Sequence, residues 1–181
     1  MRSPSVSQLA VIALFAFGLA GAARAQTCPN SCVGAVDGPK QGVHSQFDGS
    51  ADAILWPPNH KLDTIEISAQ NAQGNTCNVT ITNVAQDEPV TGAGSGNTSP
   101  DAANCTNAGN NSDVDLRAER SGTLQDGRYY NIAYTMDDPD CPIQQAMATA
   151  LVLVPHDQGL AHTGTWVNEG PLYQSGVTCT P

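Results

Sequence analysis

Residues 77 to 82 read Cys-Asn-Val-Thr-Ile-Thr, an alternation of apolar and polar side chains that an extended strand sorts onto two faces. The same period of two recurs in Thr64-Ile65-Glu66-Ile67. It recurs where Val114, Leu116 and Ala118 alternate with Asp115, Arg117 and Glu119, and again at Tyr130, Ile132 and Tyr134. Ala146 to Val154 is apolar at both parities, the pattern of a strand covered on both faces. No long segment carries a helical period. Gly, Asn, Ser, Asp and Pro fill the links, and these residues supply turn geometry. Asp126-Gly127 ahead of Arg128 is a hairpin-type turn signal. Gly92 to Asn111 is polar throughout and is expected to be an exposed loop around Cys105. Short strands, turn-rich links and no helices predict an all-β chain, folded as an antiparallel β-sandwich of about seven strands with long polar loops.

The first 25 residues stand apart from this pattern. Met1-Arg2 is a short basic start, Leu9 to Ala20 is apolar but too short to span a bilayer, and Ala23-Arg24-Ala25 offers small residues at the cleavage positions. That is the three-part pattern of a secretory signal peptide, with cleavage expected before Gln26. An uncleaved anchor is the alternative. No second apolar run of spanning length follows. The expected address is secreted, either extracellular or periplasmic.

Charge agrees with that address. The chain carries 17 acidic residues against 7 basic ones, a formal net charge of −10. A chain this acidic repels nucleic acid and anionic lipid surfaces, so neither is an expected partner. The acidity also raises cation binding by clustered carboxylates as a reading, beside plain solubility. The six cysteines are Cys28, Cys32, Cys77, Cys105, Cys141 and Cys179, all beyond the leader. An even count in an exported chain reads as disulfides. Zinc is disfavoured because paired Cys-x-x-Cys units are missing.

The chain therefore divides into a signal peptide (1–25), a polar N-terminal extension (26–53) held by Cys28 and Cys32, a sandwich (54–159) and a C-terminal tail (160–181) tied by Cys179. Four segments within the sandwich carry a resemblance. They are Leu55-Trp56-Pro57-Pro58-Asn59-His60-Lys61, Asp87-Glu88-Pro89, Leu116-Arg117-Ala118-Glu119-Arg120-Ser121-Gly122 with Gly127-Arg128-Tyr129-Tyr130, and Val154-Pro155-His156-Asp157-Gln158-Gly159. In order and spacing this resembles an immunoglobulin-like module of secreted bacterial proteins, related to hyalin-repeat domains. The resemblance implies an immunoglobulin-like sandwich serving as an accessory or adhesion module without established catalysis. Such modules usually carry an Asp-x-x-Gly-Asn turn before the last strand, where this chain has Asp137-Asp138-Pro139-Asp140-Cys141-Pro142.

An immunoglobulin topology with strands starting near Lys61 (A), Cys77 (B), Val114 (E), Tyr129 (F) and Gln145 (G), and weaker strands C and D between residues 90 and 112, gathers side chains at two ends. One end is expected to hold Trp56, His60, Lys61, Asp87 and Glu88 as a binding face. With them come Asp137, Asp138 and Asp140, whose oxygens suit a calcium ion or simply shape a turn. Trp56 on its Pro-Pro segment either stacks on a ligand or caps the open core. The other end is expected to hold Glu119, Arg120, Asp126, Arg128, His156 and Asp157. Here Arg117, Arg120 and Arg128 pair with Glu119, Asp126 and Asp157 to fasten the E–F turn to the last strand. An anion site is the functional alternative. Tyr129 or Tyr130 is placed to return its hydroxyl to backbone as a tyrosine corner. In this topology Cys77 and Cys141 lie at opposite ends, too far apart to bridge. Cys141 is then expected with Cys28 or Cys32, and Cys179 with Cys77 or Cys105.

Catalytic patterns are missing. There is no Gly-x-Ser-x-Gly elbow and no His-Glu-x-x-His, and Ser121 reads as a turn residue. His156 and His162 do not have a zinc spacing. The expected function is a secreted, non-catalytic binding or adhesion module for a protein or glycan, with calcium as a candidate cofactor. The alternatives are a structural envelope or matrix component and a secreted hydrolase.

Overall fold

A computed structural model describes residues 32–38, 51–139, 141, 145–163 and 170–179. Two sheets face each other across one core. The first contains β1 (Val33–Asp37), β3 (Leu62–Gln70), β6 (Asn111–Arg117) and β5 (Ala102–Asn107), in the order β1-β3-β6-β5. The second contains β2 (Ala53–Ile54), β8 (Gln145–Val154), β7 (Arg128–Asp137), β4 (Asn78–Gln86) and β9 (Tyr173–Gln174), in the order β2-β8-β7-β4-β9. One short helix, α1 (Gln158–Thr163), follows β8. The fold is an all-β sandwich, and β1-β3-β6-β5 over β8-β7-β4 reproduces the A-B-E-D and G-F-C arrangement of immunoglobulin domains.

The period-two runs build this core directly. Ile65 and Ile67 on β3 and Val114 and Leu116 on β6 point inward from the first sheet. Val79 and Ile81 on β4, Tyr130, Ile132, Tyr134 and Met136 on β7, and Val152 and Val154 on β8 point inward from the second. A bulge in β4 between Ile81 and Asn83 shifts the parity by one, so that Val84 and Gln86 rather than Asn83 and Ala85 continue the inner face. Fully burying a side chain of Ile, Leu or Val size contributes about 1.5–3 kcal/mol.

Three expectations need correction. The sandwich reaches beyond 54–159, because β1 pairs with β3 over Val33–Asp37 and β9 pairs with β4 at Ala85 and Gln86. β1 takes the A position, so the strand over 62–70 is B and the strand over 78–86 is C. The polar stretch from Gly92 to Asn111 holds the expected strand D, as β5, but not strand C, and around Cys105 it is strand rather than exposed loop, with Asn104 in a left-handed conformation (φ 48°) inside its bulge. Finally, β8 is covered on both faces only in its second half, and Met147 in the first half is 80% exposed.

Two disulfides join described residues. Cys32 bridges Cys77, with Cα atoms 6.3 Å apart, and Cys105 bridges Cys179, at 4.7 Å. Of the expected pairings, Cys105 with Cys179 is formed. Because Cys32 and Cys77 hold each other, Cys141 with Cys32 and Cys179 with Cys77 are both excluded. Cys141 is disulfide-bonded as well. Cys28 lies outside the described residues, as does the signal segment. Among the described residues, no helix is long and apolar enough to cross a membrane.

Candidate functional site

The one-strand shift decides which loops meet. With β4 as strand C, the 87–101 segment is a C–D loop, and it lies at the E–F end rather than beside the F–G loop. Asp87, Glu88, His60 and Lys61 therefore join the arginine cluster, while Asp137 and Asp138 sit at the opposite end of the sandwich. The expected single face of Trp56, His60, Lys61, Asp87, Glu88 and the three aspartates is thus split in two.

At the E–F end the charges turn inward. Arg128 opens β7 with no exposed surface. Its Nε donates to Glu88 Oε2 at 3.0 Å and its Nη1 to Asp101 Oδ2 at 2.7 Å. Gln86 donates from Nε2 to the same Asp101 oxygen at 2.6 Å and to the Glu88 carbonyl at 2.9 Å. The Ser121 amide donates to Glu88 Oε2 at 2.7 Å. Arg117 donates to two backbone carbonyls, from Nη2 to Pro100 at 2.7 Å and from Nη1 to His60 at 2.8 Å. Tyr130 returns its hydroxyl to the Arg117 carbonyl at 2.9 Å, filling the tyrosine-corner role. One buried charge network thus ties together the C–D loop, the E–F turn and the segment entering β3.

Burial pushes the Glu88 and Asp101 carboxyls up, against the opposing pull of Arg128. For Arg128, burial favours the neutral form, but the oxygens of Tyr130, Asp101 and Glu88 outweigh it and hold the guanidinium charged. Burial also pushes the Tyr130 hydroxyl up.

The expected partners are rearranged. Arg120 does fasten the E–F turn to the chain leaving β8, but through backbone: its Nη2 donates to the His156 carbonyl at 2.9 Å. Asp157 pairs with no arginine; its Oδ1 accepts the Leu160 amide at 3.0 Å as the N-cap of α1. Glu119 pairs with His60. Asp87 accepts the Tyr129 amide at 3.0 Å. Asp87 and Glu88 are buried, at 6% and 1% exposure, so they brace the interior and do not face a ligand. Asp101 went unnoticed in the sequence, because a carboxylate in a polar stretch reads as solvated.

What this end offers to solvent is His60. Its side chain is 54% exposed, while Nδ1 lies 3.0 Å from Oε2 of the fully buried Glu119. Burial works against ionising Glu119, but the hydrogen bonds from His60 and Thr98 prevail and hold it below the usual range. His60 is left-handed (φ 61°), an uncommon conformation for a non-glycine residue. It is fixed there by its amide bond to the Ala118 carbonyl at 3.0 Å. A Cβ at Gly96 would come within 2.5 Å of the ring, so only glycine leaves room for it. Lys61 beside it is exposed, and Trp56 is half-buried. Anchoring one ring nitrogen on a carboxylate fixes the tautomer and aims the other nitrogen outward.

Two of the expected calcium ligands take protein partners. Asp138 is buried and accepts the Asn71 side-chain amide at 3.2 Å. Asp137 accepts Gln145 Nε2 at 3.4 Å. Asp140 lies outside the described residues. Among the described residues, no group of three or more His, Cys, Asp or Glu side chains is placed to hold a metal ion. Comparison with family models, with curated proteins and with solved structures returns no match.

Proposed function

We propose that this chain is an exported, non-catalytic immunoglobulin-like module that binds a protein or glycan through the loop end carrying Trp56, His60 and Lys61. The observation that carries this reading is the orientation of His60. Glu119, Gly96 and a left-handed backbone all serve to hold one exposed imidazole in one pose, and a merely solvated histidine needs none of them. The buried Arg128 network beneath makes the loops rigid, which lowers the ordering cost of binding. The basic start, apolar run and small-residue cleavage pattern of the first 25 residues, with the disulfides, support export. Ser121, the serine nearest the network, bonds to Thr123 Oγ1 at 2.8 Å and so is not paired with a histidine base.

The test is a glycan array and a cell-surface binding assay with the oxidised chain and its Trp56→Ala, His60→Ala double variant. The proposal expects a ligand signal that the folded double variant loses at least tenfold. Equal binding by both proteins would move the ligand face elsewhere.

A further inference from the structure

The fold sorts the charges of the chain. Among the described residues the basic side chains are Lys61, Arg117, Arg120 and Arg128. Lys61 leads into β3, Arg117 closes β6, Arg120 follows it and Arg128 opens β7. Leu62 pairs with Arg117, and Tyr130 bonds to the Arg117 carbonyl, so all four lie at the E–F end. Elsewhere the surface is acidic. On the outer face of the first sheet Asp37 stands opposite Glu66 and Glu66 opposite Asp113, with Asp115 two residues further along β6. Like charges directly opposite each other are destabilising, and β1, β3 and β5 contain no basic residue to relieve them.

Most of the charge at the E–F end is engaged within the protein. Arg117 and Arg128 are buried on the oxygens described above, and Arg120 donates to the carbonyls of Ser121 at 3.1 Å and His156 at 2.9 Å. Asp87, Glu88, Asp101 and Glu119 are buried with them. Lys61 differs. It is exposed, and among the described residues no carboxylate lies in ion-pair range of its ammonium. Its backbone is nevertheless fixed together with that of His60. The His60 amide donates to the Ala118 carbonyl at 3.0 Å, and the Ala118 amide donates to the Lys61 carbonyl at 2.8 Å.

We infer that the ligand of this end is a sugar bearing one carboxylate, received by Lys61 and by His60 in its protonated form, with Trp56 as the apolar platform. This rests on the reading of the loop end as the ligand face. An anion approaching His60 meets Nε2. While the ring is neutral, Glu119 holds the proton on Nδ1 and Nε2 presents a lone pair, which repels an anion. A second proton on Nε2 turns it into a charge-assisted donor. Ligand binding therefore takes up a proton. The charged groups around His60 are Glu119 from the E–F turn, Lys61 beside it and Arg117, whose Nη1 donates to the His60 carbonyl at 2.8 Å. Glu119 favours the second proton and the two cations oppose it. A carboxylate between Lys61 and the ring relieves that opposition.

Charge also limits the size of the ligand. With a net charge of −10 the chain repels a polyanion over a screening length of about 8 Å. Two exposed cations balance one carboxylate rather than a run of them. The half-buried ring of Trp56 favours a sugar over a bare carboxylate, because a sugar has an apolar C–H face to lay on it.

An NMR titration of the oxidised chain tests this with three probes: methyl glucuronide, methyl glucoside with a hydroxymethyl group in place of the carboxylate, and acetate without the sugar. The expected result is a glucuronide-dependent shift of the Trp56 indole and the His60 imidazole, at an affinity about tenfold above that of either control. The affinity is expected to rise as pH falls from about 8 to about 6, where histidine takes its second proton. His60→Gln should remove that pH dependence, and Lys61→Met should weaken binding about threefold at every pH. Equal affinity for glucuronide and glucoside overturns the carboxylate and leaves the loop end as a neutral-sugar face. Acetate binding as tightly as glucuronide overturns the sugar and leaves the site to an acidic segment of a protein. Shifts confined to the opposite end, around Asn71 and Asp138, overturn the ligand face itself. No shift with any probe overturns the acidic sugar, and the cell-surface assay then reads the ligand face separately.

Discussion

Arg128 Nη1 meets Asp101 Oδ2 at 2.7 Å, and neither side chain has any solvent-exposed surface. The two residues come from β7 and from the loop entering β5, so the contact spans both sheets. Glu88 completes the charge balance at 3.0 Å from Nε. A buried charge with its partner removed is left uncompensated, which typically costs about 3–5 kcal/mol. Asp101→Ala is therefore expected to lower stability by that amount in denaturant unfolding. The Asp101→Ala, Arg128→Met double variant should lose less than the two single losses combined. Additive losses would mean that the pair is not energetically coupled.

Asp87 predicts a pH dependence of the opposite kind from an ordinary ion pair. Burial pushes its carboxyl up to about 7; the Tyr129 amide opposes the rise, and Glu88 and Asp126 add to it. Burial pushes Asp126 up as well. An unfolded Asp titrates near about 3.9. The folded state therefore binds the proton more tightly than the unfolded state. This contribution is fully present below about pH 4 and is lost as pH rises through about 7. Asp87→Asn keeps an oxygen for the Tyr129 amide and removes the titration. The variant should match the parent at pH 4 and exceed it at pH 8 by on the order of 2 kcal/mol. Melting curves across pH check this, and a constant offset between the two proteins would contradict it.

His60 is expected to hold its proton on Nδ1 when neutral, because the ionised Glu119 accepts there. Long-range nitrogen–proton NMR of the imidazole reads the tautomer directly. Glu119→Ala should release it to a mixture. Gly96→Ala should do the same by pushing the ring off its seat, and its strand amide shifts should stay unchanged. A parent spectrum with the proton on Nε2 would remove the basis for an aimed imidazole.

The Cys105–Cys179 bridge holds the chain that supplies β9 against β4 and β5. Ser175 is bonded to both neighbours, donating to the Val84 carbonyl at 3.2 Å and accepting the Ala102 amide at 3.1 Å. Replacing both cysteines by alanine is expected to cost about 2–5 kcal/mol. Hydrogen exchange should accelerate at Ala102 and Ser175 before it does in β7. Unchanged protection there would mean that β9 docks without the bridge.

The sandwich was legible in the sequence because its signal is local. Period-two patterning at Ile65 and Ile67, at Val79 and Ile81, and at Tyr130, Ile132 and Tyr134 requires only that each strand have a wet and a dry side. The weakly patterned strands were not legible. β1 reads Val-Gly-Ala-Val-Asp, and its contribution depends on lying beside β3. Missing it moved the names of β3 and β4 by one and sent the 87–101 loop to the wrong end.

By itself, then, the sequence determined an acidic, cysteine-bearing chain of alternating strands, and which side chains on those strands face the core. Tertiary structure alone decided which carboxylate meets which arginine. Asp101 and Arg128 are 27 residues apart, and nothing in the chain between them encodes their contact. Strand order brings them together, and strand order follows from pairings across the whole chain. It also decided that His60 reaches Glu119 at 3.0 Å, while Asp157 caps α1 and meets no arginine.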